Sequence, residues 1–167
     1  MDGEEGAEYD EIALPRSVFS PDSRRTAYAA RRARRAVVVV DGQEQPEYDD
    51  IGQGHPTFSP DGRVAYVGIR QEKRLLRRAR GRHAVVLEGQ VVGEYDAVAA
   101  ETPVFSADGQ HMAYEATRDG RAIVVLDGRE GSGHDGFVSA CGLHFEPDGS
   151  VRYMAIKEQS FWRVTQR

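Results

Sequence analysis

The stretch Phe58-Ser59-Pro60-Asp61-Gly62-Arg63-Val64-Ala65-Tyr66 decides the fold. Pro60 sits at the second position of a turn, where φ near −65° is required anyway, and Gly62 stands where φ turns positive. The β-branched and aromatic run behind the turn has the composition of a strand. The same segment stands at Phe19 to Ser23 ahead of Tyr28, and as variants at Phe105 to Gly109 ahead of Tyr114 and Phe145 to Gly149 ahead of Tyr153. Nine or ten residues before each Phe lies an Asp (Asp10, Asp49, Asp96, Asp135), preceded by Tyr9, Tyr48, Tyr95 or His134. Eight residues before each Asp comes an acidic residue followed by Gly: Asp2-Gly3, Asp41-Gly42, Glu88-Gly89 and Asp127-Gly128. Chance does not hold such spacings through four copies, so the chain is an internal repeat of about 40 residues.

Within one unit the reading is all β. An acidic residue and Gly between a β-branched run and another extended segment is a strong hairpin signal. Strand one ends at the Phe, strand two carries Ala-Tyr, strand three is a Val-rich run such as Val37 to Val40, and strand four leads to Tyr-Asp. Four short strands per repeat predict a β-propeller of four four-stranded blades, with approximate units 13–51, 52–98, 99–138 and 139–167 plus 2–12. The chain opens in a third-to-fourth-strand turn, and its last apolar run, Phe161 to Val164, reads as a third strand. The expectation is that Glu8 to Ile12 pairs with that run and closes the ring, removing an unpaired edge. Exchange of the same strand between two chains gives the alternative, an eight-bladed dimer.

Composition limits the classes. At 167 residues, with seven Tyr, six Phe and 40 % hydrophobic residues, one domain with a buried core is expected. The longest clean apolar run, Ala36 to Val40, is far short of the roughly 20 residues of a membrane helix. No apolar segment follows the acidic Met1 to Glu5, so the expected compartment is the cytoplasm, or the periplasm if the N-terminus has been truncated. The single Cys141 excludes an intrachain disulfide, and a net charge of −5 argues against a general nucleic-acid binder.

Phe-Ser-Pro-Asp-Gly with Ala-Tyr behind it resembles the blade signature of bacterial WD-repeat-like propellers, such as those of the Tol-Pal system and of prolyl-oligopeptidase-type enzymes. The resemblance covers nearly the whole chain. It implies a propeller that serves as a platform, without the separate hydrolase domain that carries catalysis in the peptidases.

Candidate sites lie where the repeat is broken. The second-to-third-strand connection of the first unit holds Arg31, Arg32, Arg34 and Arg35, and its longer counterpart, Arg70 to Arg82, holds Arg74, Arg77, Arg78 and Arg80. Both connections leave the same end of the sheet, and together they carry half of the chain's 22 Lys and Arg. They read as a cationic rim for an acidic protein partner; without interleaved aromatics they do not resemble a stacking platform for nucleic acid. The repeated Asp10, Asp49, Asp96 and Asp135 are weak candidates for a ring of hard-cation ligands, set against the simpler role of fixing a turn through backbone N–H groups. In unit four, Cys141, Ser139 and His144 cluster without a nucleophile elbow, so no catalytic residue is assigned and Cys141 is expected to be a small buried hydrophobe. His55 and His144 lack a third metal ligand, and no cofactor is expected. The leading function is a non-enzymatic scaffold for protein–protein contact, with a second copy as a further partner. The alternative is a small-ligand or ion-binding propeller, or a hydrolase or lyase, using the axial pocket.

Overall fold

The acidic-Gly pairs set the hairpins in a computed structural model, which describes residues 7–12, 18–52, 55–71, 81–138 and 141–167. Asp41 and Gly42, Glu88 and Gly89, and Asp127 and Gly128 all have positive φ, the backbone of a two-residue turn that matches strand twist. Each acidic side chain also caps the second strand of its own sheet. Asp41 Oδ1 accepts the Thr26 N–H at 2.8 Å, and Asp127 Oδ1 accepts the Met112 N–H at 2.9 Å. In the Ser-Pro-Asp-Gly turn, Ser59 Oγ accepts the Arg63 N–H at 2.9 Å while its own O–H donates to Asp61.

Four antiparallel sheets result. The first holds β1 (Glu11–Ile12), β2 (Val18–Phe19), β3 (Thr26–Arg32), β4 (Arg35–Val40) and β5 (Gln43–Glu44). The second holds β6 (Asp50–Ile51), β7 (Thr57–Phe58), β8 (Val64–Gln71), β9 (Gly81–Leu87) and β10 (Gln90–Tyr95). The third holds β11 (Ala97–Val98), β12 (Val104–Phe105), β13 (Met112–Arg118), β14 (Arg121–Leu126) and β15 (Arg129–Glu130). The fourth holds β16 (Gly136–Phe137), β17 (His144–Phe145), β18 (Val151–Lys157) and β19 (Ser160–Gln166).

Two differences from the sequence reading stand out. The first strand of each sheet is broken into two short pieces, both paired with the same long neighbour. Pro56 and Pro103 lie in two of these breaks, and proline donates no ladder hydrogen bond. The second concerns the N-terminus. Glu11 and Ile12 pair with Arg31 and Ala30 of β3, so they open the first sheet, whereas the described partner of β19 is β18 alone. The expectation that Glu8 to Ile12 closes the fourth sheet is corrected accordingly. The fourth strand leads to Tyr-Asp as expected: β10 runs to Tyr95 and pairs it with His83, while Tyr48 and His134 hold the same place as single bridges to Ala36 and Ala122.

The core is a series of joints between sheets. One cluster joins Ala27, Val38 and Val40 of the first sheet to Tyr66, Ala84 and Val86 of the second. A second joins Ala65, Val67 and Val85 to Tyr114, Ile123 and Val125. A third joins Ala113, Val124 and Leu126 to Val151, Tyr153 and Ala155. These continuous apolar runs are buried on both faces, which is why they do not alternate with polar residues. At the first joint Tyr48 lies directly on Gly68, and a Cβ on Gly68 would overlap its ring. Gly68→Ala is therefore expected to destabilise the chain by about 1–3 kcal/mol through overpacking, read as a lower urea midpoint. An unchanged midpoint would show that Tyr48 is free to move aside.

Candidate functional site

The Tyr-Asp pair works at each joint as a brace. Oδ2 of Asp49, Asp96 and Asp135 accepts the backbone N–H of Gln71, Asp119 and Glu158, each at 2.8 Å, which fixes the hairpin between the second and third strands. Asp10 does the same for Ala33. The other oxygen takes an arginine from the preceding sheet: Arg35 on Asp49, Arg82 on Asp96 at 3.3 Å and Arg121 on Asp135 at 2.7 Å. The carboxylates thus face backbone and guanidinium rather than a shared centre. Among the described residues no cluster of three or more His, Cys, Asp or Glu is arranged to hold a metal ion.

The aromatic half of the pair lies on the tyrosine of the next sheet. Ring centroids are 6.2 Å apart for Tyr9–Tyr28 and Tyr48–Tyr66, 5.6 Å for Tyr95–Tyr114 and 5.8 Å for His134–Tyr153, all edge to face. A cation at the end of each second strand covers three of these rings: Arg32 over Tyr9 at 5.0 Å, Arg70 over Tyr48 at 5.0 Å and Arg118 over Tyr95 at 4.7 Å. Burial, followed by the Glu44 carboxylate that accepts its O–H at 2.9 Å, pushes the Tyr9 phenol up to about 12.

The opposite end of each joint carries a clamp that sequence reasoning missed. Arg25 donates to the Gly62 carbonyl at 2.8 Å, pairs with Asp41 at 2.9 Å, and lies over Phe58 at 5.8 Å. Arg63 donates to the Gly109 carbonyl and lies over Phe105 at 5.8 Å. His111 takes the same place at the third joint, stacked on Phe145 at 6.4 Å. The only sequence signal is position, since each stands immediately before the second strand of its unit.

At the rim, Arg31 pairs with Asp50, Arg32 with Glu44 at 2.6 Å, and Arg35 with both Asp49 and Glu47. Arg31 and Arg35 are partly buried; Arg32 and Arg34 are exposed, and Arg34 has no ion pair among the described residues. Arg74, Arg77, Arg78 and Arg80 lie outside the described residues. Cys141 is exposed rather than buried, because it stands in a turn whose next residue, Gly142, has positive φ. The His144 ring contacts the Cys141 carbonyl at 2.6 Å, an arrangement that does not activate a thiol. Ser139 lies outside the described residues. His55 belongs to a cavity of about 420 Å³ between the first strands of the second and third sheets, lined also by Thr57, Phe58, Glu101, Thr102 and Phe105. His144 is not among its lining residues.

No family model matches the chain, and no curated protein matches it. Among solved structures it is similar to one described as the crystal structure of the eukaryotic initiation factor, with a TM-score of 0.51 at 14 % identity over 96 % of this chain. That match takes in 43 % of the initiation-factor chain, so the likeness concerns the fold of a part of it. No described helix is long and apolar enough to cross a membrane.

Asp96→Ala removes the acceptor for the Asp119 N–H and leaves Arg82 without its partner. A loss of about 1–3 kcal/mol is expected in thermal or urea melts. Asp96→Asn, which keeps an acceptor for the N–H, is expected to lose less. Equal losses would assign the whole effect to charge.

Proposed function

We propose that the chain is a non-enzymatic scaffold of the WD-repeat-like propeller type, its four sheets serving as blades. The hairpin rim between second and third strands receives an acidic protein partner. The observation that carries this reading is Arg34. It stands exposed at the tip of the β3–β4 hairpin without an ion pair among the described residues, beside three arginines already neutralised by Asp50, Glu44 and Asp49. The connection between β8 and β9 springs from the equivalent place and adds Lys73, Arg74, Arg77, Arg78 and Arg80 in sequence. Cations gathered on one rim attract an acidic surface over about 10 Å at 0.1 M salt and accelerate its association. Replacing Arg34, Arg74, Arg77, Arg78 and Arg80 with Ser should leave the melting temperature nearly unchanged, since exposed charges contribute little to stability. The same change should weaken binding of polyglutamate, and the difference should fade at high salt. Unfolding of the variant would assign these residues to packing, and unchanged polyglutamate binding would overturn the rim reading.

The ring itself needs an outer strand beside β19. Residues 2–9 carry the pattern of the segments at 41–48, 88–95 and 127–134, an acidic residue and Gly followed by an aromatic seven residues after the acid. Supplied within the chain, that strand makes a four-bladed monomer; exchanged between chains, an eight-bladed dimer. A mass measurement in solution distinguishes the two. A second reading rests on the cavity holding His55 and Glu101, whose apolar walls and few polar groups suit a small ligand. Filling it with Thr57→Trp should abolish uptake of a fluorescent apolar dye while leaving polyglutamate binding intact.

A further inference from the structure

Two residues of the repeat are replaced by histidine, and both replacements fall on the joint between the third and fourth sheets. At the clamp, His111 stands where the other joints have Arg25 and Arg63. In the aromatic pair, His134 stands where they have Tyr48 and Tyr95. We propose that this joint is a proton-sensitive hinge, tightest near neutral pH and loosened on both the acid and the alkaline side.

The two sites respond in opposite directions. His111 Nδ1 meets Asp127 Oδ2 at 2.7 Å, and its ring lies against Phe145 and against Gly149 in the turn of the fourth sheet. Asp127 and Asp108 face it from its own sheet, and Glu146 and Asp148 flank the turn it touches. Arg152 pairs with Glu146 at 2.9 Å and Arg167 lies 3.9 Å from Asp148, so the acids of the turn carry their own cations and the charge that acts on the ring is that of Asp127 and Asp108. As an imidazolium, His111 reproduces the cation of Arg25 and Arg63; as neutral imidazole it keeps a weaker hydrogen bond and loses the charge over the Phe ring. The Asp127 hydrogen bond raises its pKa above the usual 6.5. Its stabilisation is complete below 6.5 and is lost as pH rises through the higher, folded value.

His134 is buried. Its Nε2 meets the Tyr153 hydroxyl at 3.3 Å, and its Nδ1 is buried without a hydrogen-bond partner among the described residues. Lys157 and Arg121 face it, against the single acid Asp135. Protonation would place a second N–H and a positive charge in that apolar, cationic setting. Burial, then the two cations, lowers its pKa below 6.5. The joint is accordingly destabilised as pH falls below 6.5 toward the lowered value. With one limb ending and the other starting at the same ordinary imidazole value, the joint is tightest near pH 6.5. The first and second joints carry Arg and Tyr at these places; the second also holds His83, whose Nδ1 accepts the Val98 N–H at 3.1 Å, so the first joint is the fixed reference.

Amide exchange, corrected for intrinsic rates, tests this from about pH 5 to about pH 8.5 in the intact chain. Protection of the β18 amides relative to those of β3 should peak near pH 6.5 and fall several-fold on each side. His111→Arg should flatten the alkaline limb only, His134→Tyr the acid limb only, and the double variant both. Each variant restores the residue the other joints already use, so folding is preserved. His55, His83 and His144 are untouched in all of them. A flat profile in the unaltered chain, or a bell surviving in the double variant, would overturn the proposal.

Discussion

Each sheet is held to the next by an aromatic ring that ends one sheet and lies on the second strand of its neighbour. A lone sheet of four or five short strands has two apolar faces and cannot bury either by itself. Tyr48 and Tyr95 settle how the next sheet approaches, since each is anchored behind to the third strand of its own sheet and in front to Tyr66 or Tyr114. Everything else at the joint follows from that placement. The aspartate after the aromatic is carried to the tip of the next hairpin, and the arginine that opens the third strand is carried to the aspartate. Gly68 and Gly93 stand where a Cβ would strike these tyrosine rings.

Much of this was legible in the sequence because the turns are written in local chemistry. Ser-Pro-Asp-Gly and the acidic-Gly pairs each declare a backbone conformation, and the spacing between them gives the strands. The division of the first strand was not legible, since Val-Phe and Asp-Ile look like parts of one extended run. The position of Glu11 and Ile12 was misread for a related reason: Tyr-Asp marks the passage between sheets, and sequence alone does not say on which side of it a strand begins. Ion pairs such as Arg35–Asp49 were invisible because the fourth strand intervenes and only the fold returns Asp49 to the start of β4. Exposure of Cys141 depends on a backbone turn at Gly142 that no composition rule announces.

The arginines of the rim carry two kinds of duty, and the structure separates them by residue. Arg35, Arg82 and Arg121 belong to the brace and point along the series of sheets toward an aspartate. Arg32 and Arg70 cover aromatic rings, where a guanidinium plane packs as well as it charges. The charge that neither duty absorbs is what the rim presents to its surroundings. A count of basic residues in the sequence therefore overstates the field at this end of the molecule, and Arg34 marks where the surplus begins.

The fourth sheet breaks the series on the face turned away from the third. Its partner-facing side follows the pattern, with Val151, Tyr153 and Ala155 buried against Val124 and Leu126. On the opposite side, alternation along the strands places Arg152, Arg163 and Thr165. Strand pairing matches these with Ala27, Val38 and Val40 of the first sheet, and with Ala113, Val124 and Leu126 of the third. Ser160 likewise stands where Arg35, Arg82 and Arg121 supply the brace, and Phe161, 71 % exposed, stands where Ala36 receives Tyr48. Met154 and Ile156 share this face, so it alternates apolar and polar residues where the other three joints present a continuous Ala and Val surface. Arg152 is held by Glu146 at 2.9 Å, so what this face presents is the Arg163 guanidinium and the exposed Phe161 ring rather than the apolar surface of the other joints.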